Sequence, residues 1–76
     1  MNKKRRKQLE GVAGQIEVQR VLLEELRDEE QDAFDNMPES MQQAEKGQKM
    51  EEAISSIDSA LDSLEQAASD VQEGAI

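Results

Sequence analysis

Three copies of one five-residue pattern, each beginning seven residues after the last, decide the fold of this chain: Ala53-Ile54-Ser55-Ser56-Ile57, Ala60-Leu61-Asp62-Ser63-Leu64 and Ala67-Ala68-Ser69-Asp70-Val71. Extended in both directions, the apolar positions alternate in steps of three and four residues: Met50, Ile54, Ile57, Leu61, Leu64, Ala68, Val71 and Ala75. Such steps keep side chains on one face of a helix that packs against another helix. The second half of the chain is therefore predicted to be a long helix with one buried face.

The same steps run through the first half: Leu9, Val12, Ile16, Gln19, Leu23, Leu26, Glu30, Ala33 and Met37. Pro38 separates the halves, because proline disfavours the helical conformation of the preceding residue yet suits a first helical turn. We therefore predict an all-α fold, an antiparallel two-helix coiled-coil hairpin. It forms a single domain over 1–76, with helix 1 at about 4–34, a turn at 35–38 and helix 2 at about 38–73.

The segment after Pro38 leaves two interpretations open. Ser40 and Gln43 fit a capping box, and Gly47 weakens a helix, so residues 38–46 either continue helix 2 or form a separate short turn. A turn about residues 36 and 37 would pair residues whose numbers sum to 73. Leu9 would then meet Leu64, and Glu30 would lie opposite Gln43 in a polar layer near the turn.

Composition excludes several classes of protein. The 76-residue chain has no Cys and no His, so neither a disulfide nor a zinc site of the usual ligands can form. Without His, Cys or Tyr no nucleophile has a recognisable base, and we expect no enzyme, no cofactor and no metal. No apolar run approaches the roughly 20 residues of a membrane span. The expected compartment is the cytoplasm, without membrane contact.

A chain of this size buries little core, so self-association is the expected source of further stability. Val18, Val21 and Leu22 lie off the predicted seam of helix 1, beside Gly11 and Gly14, and mark a second apolar stripe. In each of the three repeats of helix 2 an alanine precedes the first seam residue and widens the apolar face. The residues predicted to associate with further copies, as a dimeric four-helix bundle, are Gly14, Val18, Val21, Leu22, Ala53, Ala60 and Ala67.

Charge is divided unevenly along the chain, whose formal net charge is −9. Five consecutive basic residues form a basic arm: Lys3, Lys4, Arg5, Arg6 and Lys7. Clustered cations suit nucleic-acid phosphates, but no aromatic residue interleaves them for base stacking and the rest of the chain is strongly acidic. Under the 73 register the arm would lie beside Glu65, Asp70 and Glu73 and be neutralised there, so nucleic acid is not the favoured partner.

A cluster of carboxylates on helix 1 is the favoured partner-binding surface: Glu24, Glu25, Asp28, Glu29, Asp32 and Asp35. Carboxylates spaced along a rigid helix can imitate a phosphate backbone and occupy a basic channel. The simpler interpretation is a solvated surface that keeps the protein soluble.

The chain resembles a group of small uncharacterised acidic helical-hairpin proteins encoded by bacteriophages and prophages. The resemblance lies in residues 24–42, with the turn Asp35-Asn36-Met37-Pro38-Glu39-Ser40, and in residues 50–54 and 61–65. It implies no activity and no functional residues. It does imply work inside a bacterial host cell during infection, where small acidic proteins often bind and disable host machinery or defence systems.

Three functions follow as hypotheses. The leading one is a non-enzymatic interaction module that binds and inhibits a host protein of the defence or nucleic-acid-handling kind. The second is a structural or assembly homo-oligomer with no foreign target. The third is a nucleic-acid-binding protein that uses the basic arm.

Overall fold

The computed structural model describes residues 2–76, which form three helices: α1 (Lys3–Asp35), α2 (Glu39–Gln42) and α3 (Glu45–Gly74). The two long helices pack against each other along an extended molecule of 58 × 14 × 11 Å. The C-terminal half of α1 lies beside the N-terminal half of α3, so the helices are antiparallel. The prediction of an all-helical hairpin is confirmed.

Local hydrogen bonds define where α1 begins and where the chain turns. Asn2 caps α1, because its Oδ1 accepts a hydrogen bond from the Arg5 amide at 2.7 Å. At the other end the Phe34 carbonyl accepts bonds from the Met37 amide at 3.1 Å and from Gln42 Nε2 at 2.9 Å. The chain after Pro38 therefore forms the short helix α2, held against the end of α1 and separated from α3 by residues 43 and 44, in place of a single helix continuing from Pro38.

Gly47 makes the tight junction between α2 and α3 possible. The glycine is buried, and a Cβ atom at this position would overlap the backbone of Gln42, above all its carbonyl oxygen. No side chain fits in that space without movement of the backbone. The close approach explains a glycine in the first turn of α3, where the sequence alone indicated only a weak point in a helix.

The buried face of α3 follows the predicted seam throughout. All eight predicted positions from Met50 to Ala75 are buried or half-buried, and Ile54 and Ala68 are each only 6% exposed. The three-residue and four-residue steps therefore identified the correct face of this helix.

The buried face of α1 follows the prediction at alternate positions only. Leu9, Ile16, Leu23, Glu30 and Met37 are half-buried as expected. Between them the predicted Val12, Gln19, Leu26 and Ala33 are exposed, and the next residue along takes each place: Ala13, Arg20, Arg27 and Phe34. Ala13, at 1% exposure, lets the backbones approach closely, while Leu26 stays 58% exposed.

The register of the hairpin also differs from the prediction. Arg27 donates from Nε to Asp58 Oδ1 at 2.8 Å and from Nη2 to Oδ2 at 3.3 Å, so level residues sum to about 85 instead of 73. The connection between the long helices spans residues 36–44, and the centre about which their residues pair lies six residues closer to the C-terminus than predicted. Gly11 is then level with Gly74, the last residue of α3, and residues 3–10 extend beyond it. The expected neutralisation of the basic arm by Glu65, Asp70 and Glu73 is therefore wrong.

Candidate interaction surfaces

An open groove of about 780 Å³ lies between α1 and α3 at the turn end of the hairpin. Its floor is apolar and is made of Leu26 from α1 with Met50, Ala53 and Ile57 from α3. Its rim is charged and consists of Glu29, Glu30, Glu45, Lys46 and Lys49. The rim has one more carboxylate than it has ammonium groups. Such a surface fits an elongated apolar segment that carries polar or basic residues at its edges.

The groove continues along α1 beyond Leu26. A second, smaller depression of about 350 Å³ shares Leu26 and Glu29 with it and adds Leu22 and Gln19. Leu22 is 47% exposed, which is high for a large aliphatic side chain. Continuous exposed apolar surface is typical of an interaction site.

The six residues of the predicted acidic surface are all exposed on α1. Glu24 accepts a hydrogen bond from Arg20 Nη1 at 2.9 Å, and Asp28 lies 3.5 Å from Arg27 Nη1. Glu29 also forms part of the groove rim. The negative charge of Glu24 and Asp28 is therefore partly neutralised by neighbouring arginines, and the acidic surface borders the groove at Glu29.

A short ion-pair network precedes the acidic surface. Arg20 donates to Glu17 through both Nε and Nη2, with 2.6 Å from Nη2 to Oε1, and to Glu24. The hydrogen bond with Arg20 lowers the pKa of Glu17 below its ordinary value, and the same bond raises the pKa of Arg20. The hydrogen bond with Asp58 likewise raises the pKa of Arg27. Both guanidinium groups are thus held charged at the edge of the helix interface.

The side of α1 that faces away from α3 has a regular pattern, which we call the outer face. Its residues recur in steps of three and four and all are exposed: Lys4, Lys7, Gly11, Gly14, Val18, Leu22, Glu25, Glu29 and Asp32. A Cβ atom added to Gly11 or Gly14 would meet nothing within 4 Å. Gly14, Val18 and Leu22 of the predicted self-association set thus share one open surface, and Val21, 43% exposed, lies beside it.

The alanines of the predicted self-association set lie on α3 and do not share the outer face. Ala53 is exposed in the floor of the groove, while Ala60 and Ala67 are half-buried. The spacing of seven residues places all three on one side of α3. The structure therefore divides the predicted set between two surfaces.

The basic arm forms the first turns of α1, and its five side chains are exposed. The ion pairs found within residues 2–76 involve Arg20, Arg27 and Lys49 and none of the arm residues. Cations at a helix N-terminus face the positive end of the helix dipole, which is unfavourable. The arm is thus a concentrated positive charge without a partner in the described part of the chain.

Sequence reasoning missed the groove because it assigned Leu26 to the buried seam. Two alternative buried faces of α1 fit the spacing, and both contain Leu9, Ile16, Leu23 and Glu30. Hydrophobicity favours the face that also contains Val12 and Leu26. Phe34, the only aromatic residue, belongs to the other face. Its size, together with the pairing of Arg27 with Asp58, is the signal that would have selected the observed face.

Neither long helix within residues 2–76 contains a stretch apolar enough to cross a membrane. The same residues contain no group of three or more acidic side chains close enough to hold a metal ion. Comparison with protein-family models, curated proteins and solved structures found no match to this chain. The surfaces described above are therefore the basis for any functional proposal.

Proposed function

We propose that this protein is a non-enzymatic protein-interaction module whose groove receives a basic amphipathic helix of another protein. The observation that carries the proposal is the apolar floor of Leu26, Met50, Ala53 and Ile57 left open beneath a charged rim. Covering an exposed aliphatic side chain fully contributes roughly 1.5–3 kcal/mol, so a helix that fills the floor gains useful affinity. An amphipathic helix in an apolar groove is a recurrent mode of recognition.

Charge favours a basic partner. The chain has a formal net charge of −9, and the acidic surface continues the rim of the groove along α1. Complementary charge accelerates association and suppresses acidic competitors. The resemblance to phage-encoded proteins favours a host protein of the defence or nucleic-acid-handling kind, in the cytoplasm of the bacterial cell, which this module would inhibit by occupying it.

The test is an affinity pull-down from nuclease-treated bacterial lysate with a variant that fills the groove. Ala53→Arg places a long cation in the floor, and Ser59→Arg is the matched control because Ser59 is exposed outside the groove. We expect one enriched host protein with the wild type and the control, and its loss with Ala53→Arg. Calorimetry with the purified host protein must then reproduce the same order of affinities.

The role of the acidic surface is tested in the same assay by charge reversal. Glu25, Glu29 and Asp32 are changed to lysine in one variant, and the exposed Glu52, Asp62 and Glu65 of α3 in the control. Each variant moves the formal net charge from −9 to −3, so a difference between them reports position and not total charge. Equal binding by both variants would exclude a specific role for the acidic surface.

A structural homo-oligomer is the second candidate function, and the open outer face of α1 favours it. In this case α1 would pack against further copies and the protein would act as an assembly component without a foreign target. Recovery of the protein alone in the pull-down would favour this candidate. The basic arm is the only feature that favours nucleic acid, and such binding would vanish when residues 3–7 are neutralised.

A further inference from the structure

The residues of the outer face of α1 are spaced symmetrically about Val18, so the face has the same spacing in either direction along the helix. Its steps are the same from Val18 toward either end, so that an antiparallel second helix would place residues level when their numbers sum to 36. Lys4 would then meet Asp32, and Lys7 would meet Glu29. We propose that the outer face binds a second copy of this chain, antiparallel, about a two-fold axis at Val18.

Size complementarity supports this arrangement at the centre of the face. Gly14 would lie level with the partner's Leu22, and the reverse contact follows from the two-fold axis. Leu22 is 47% exposed, while the space beside Gly14 is empty within 4 Å of a built Cβ atom. A large side chain opposite a missing one allows the helix backbones to approach closely. Val18, 54% exposed, meets its own copy on the axis.

The ends of the face supply charge complementarity. Within α1 the charges oppose the helix dipole, because the first turn has no acidic residue and the last turn has no basic residue. An antiparallel copy places the carboxylates of one C-terminal end beside the cations of the other N-terminal end, so both mismatches are relieved. A parallel copy would bring the two basic arms together. The charges therefore select the antiparallel orientation.

The groove described above opens between α1 and α3; of its lining only Glu29 also belongs to the outer face, and Leu22 and Glu25 of that face border the adjoining depression. The inference goes beyond the proposed function of the groove, because it names the orientation and the residues by which a second copy binds, and it does not depend on the capture of a host helix. A monomeric protein that still binds a host partner through Ala53 would overturn the inference alone. A dimer that captures no host protein would leave the inference standing and remove the proposed function.

The experiment uses two charge-reversed proteins and their mixture, with masses measured by sedimentation equilibrium across a concentration series. One protein carries Lys4→Glu and Lys7→Glu, and the other carries Glu29→Lys and Asp32→Lys. Each homodimer would oppose like charges at both ends, and we expect its affinity to fall at least about tenfold below wild type. In the mixture every such contact is again between opposite charges, and we expect a heterodimer of wild-type affinity.

A Gly14→Leu variant separates association from folding. Leucine is a better helix former than glycine, so helical content by circular dichroism should stay the same or rise. The filled gap should nevertheless weaken the dimer at least about tenfold, while Gly74→Leu, also a glycine with open space beside it, should leave the dimer unchanged. A monomeric wild type, a dimer indifferent to these variants, or an arm that binds DNA in place of a second copy would each overturn the inference.

Discussion

At the scale of single residues, two arginines of α1, Arg20 and Arg27, lie at the boundary between its buried and its exposed sides. Arg20 and Arg27 occupy positions where a hairpin of this size would ordinarily bury an aliphatic side chain, and both are only about a quarter exposed. Their stems cover the seam while the guanidinium groups reach carboxylates at its edge. Arg27 crosses to α3, whereas Arg20 stays on its own helix with Glu17 and Glu24.

The bond between Arg20 and Glu17 yields a prediction about pH. The pKa of Glu17 is lowered in the folded chain, so the bond stabilises the fold above the unfolded pKa of glutamate and is lost as the pH falls through the lower, folded pKa. In an NMR titration of the side-chain carboxyl carbons, Arg20→Gln should return the pKa of Glu17 to its ordinary value. Arg27→Gln, the control, should leave Glu17 as it is in the wild type. Equal values in all three proteins would contradict the contact.

At the scale of elements, the connection between the long helices sets the register of the whole hairpin. Gln42 reaches back to the Phe34 carbonyl, and Gly47 packs on the Gln42 backbone, so α2 is held between the ends of α1 and α3. The turn is thereby fixed in length as well as direction. A change in the length of this segment would therefore shift every contact between α1 and α3.

Two glycine-to-alanine substitutions should accordingly have opposite effects on the free energy of unfolding. Gly11→Ala adds a methyl group in space that is open in the single chain, and at protein concentrations too low for self-association it should stabilise the fold by about 1 kcal/mol. Gly47→Ala drives a Cβ atom into the Gln42 carbonyl oxygen and should destabilise it by roughly 1–3 kcal/mol, because the backbone must move. Chemical denaturation followed by circular dichroism measures both. Stabilisation by Gly47→Ala would show that the junction is looser than described.

The sequence predicted the elements better than their relation to each other. The seam of α3 is unambiguous because Ile54, Ile57, Leu61 and Leu64 are flanked only by alanine, serine and acidic residues, so only one face is strongly apolar. On α1, Leu22, Leu23 and Leu26 widen the apolar surface beyond a single seam, so two alternative buried faces fit the spacing. The register depends on how many residues the turn consumes, which hydrogen bonds such as that of Gln42 decide and which periodicity does not encode.

At the scale of the whole molecule, the register determines which surfaces reach solvent. With Arg27 level with Asp58, the basic arm projects past α3 and Leu26 opens onto Met50 and Ala53. In the register that sums to 73, the arm would be covered by acidic residues of α3. The groove and the free arm are thus consequences of a single structural variable, the pairing of the long helices.

Cross-linking of paired cysteines tests that variable directly, since the wild-type chain has no Cys. Gln31 and Ser55 line one small depression with Phe34 and Asp58, so Gln31→Cys with Ser55→Cys should join efficiently within one chain through a short bis-maleimide reagent. In the register that sums to 73, Gln31 would be level with Gln42, and Ser55 would lie about 20 Å farther along α3 at 1.5 Å per residue.

The control pair is Gln19→Cys with Ala53→Cys, which are nearly level only in the register that sums to 73. In the structure Gln19 is level with Gln66, and Ala53 lies about 20 Å away along α3. The two pairs therefore give opposite results in the two registers, and mass spectrometry of dilute protein distinguishes a link within one chain from a link between copies. Efficient cross-linking of the control pair, without cross-linking of the first pair, would indicate the register that sums to 73. In that register the turn lies closer to Pro38, Leu26 is buried, and the groove on which the proposed function depends does not form.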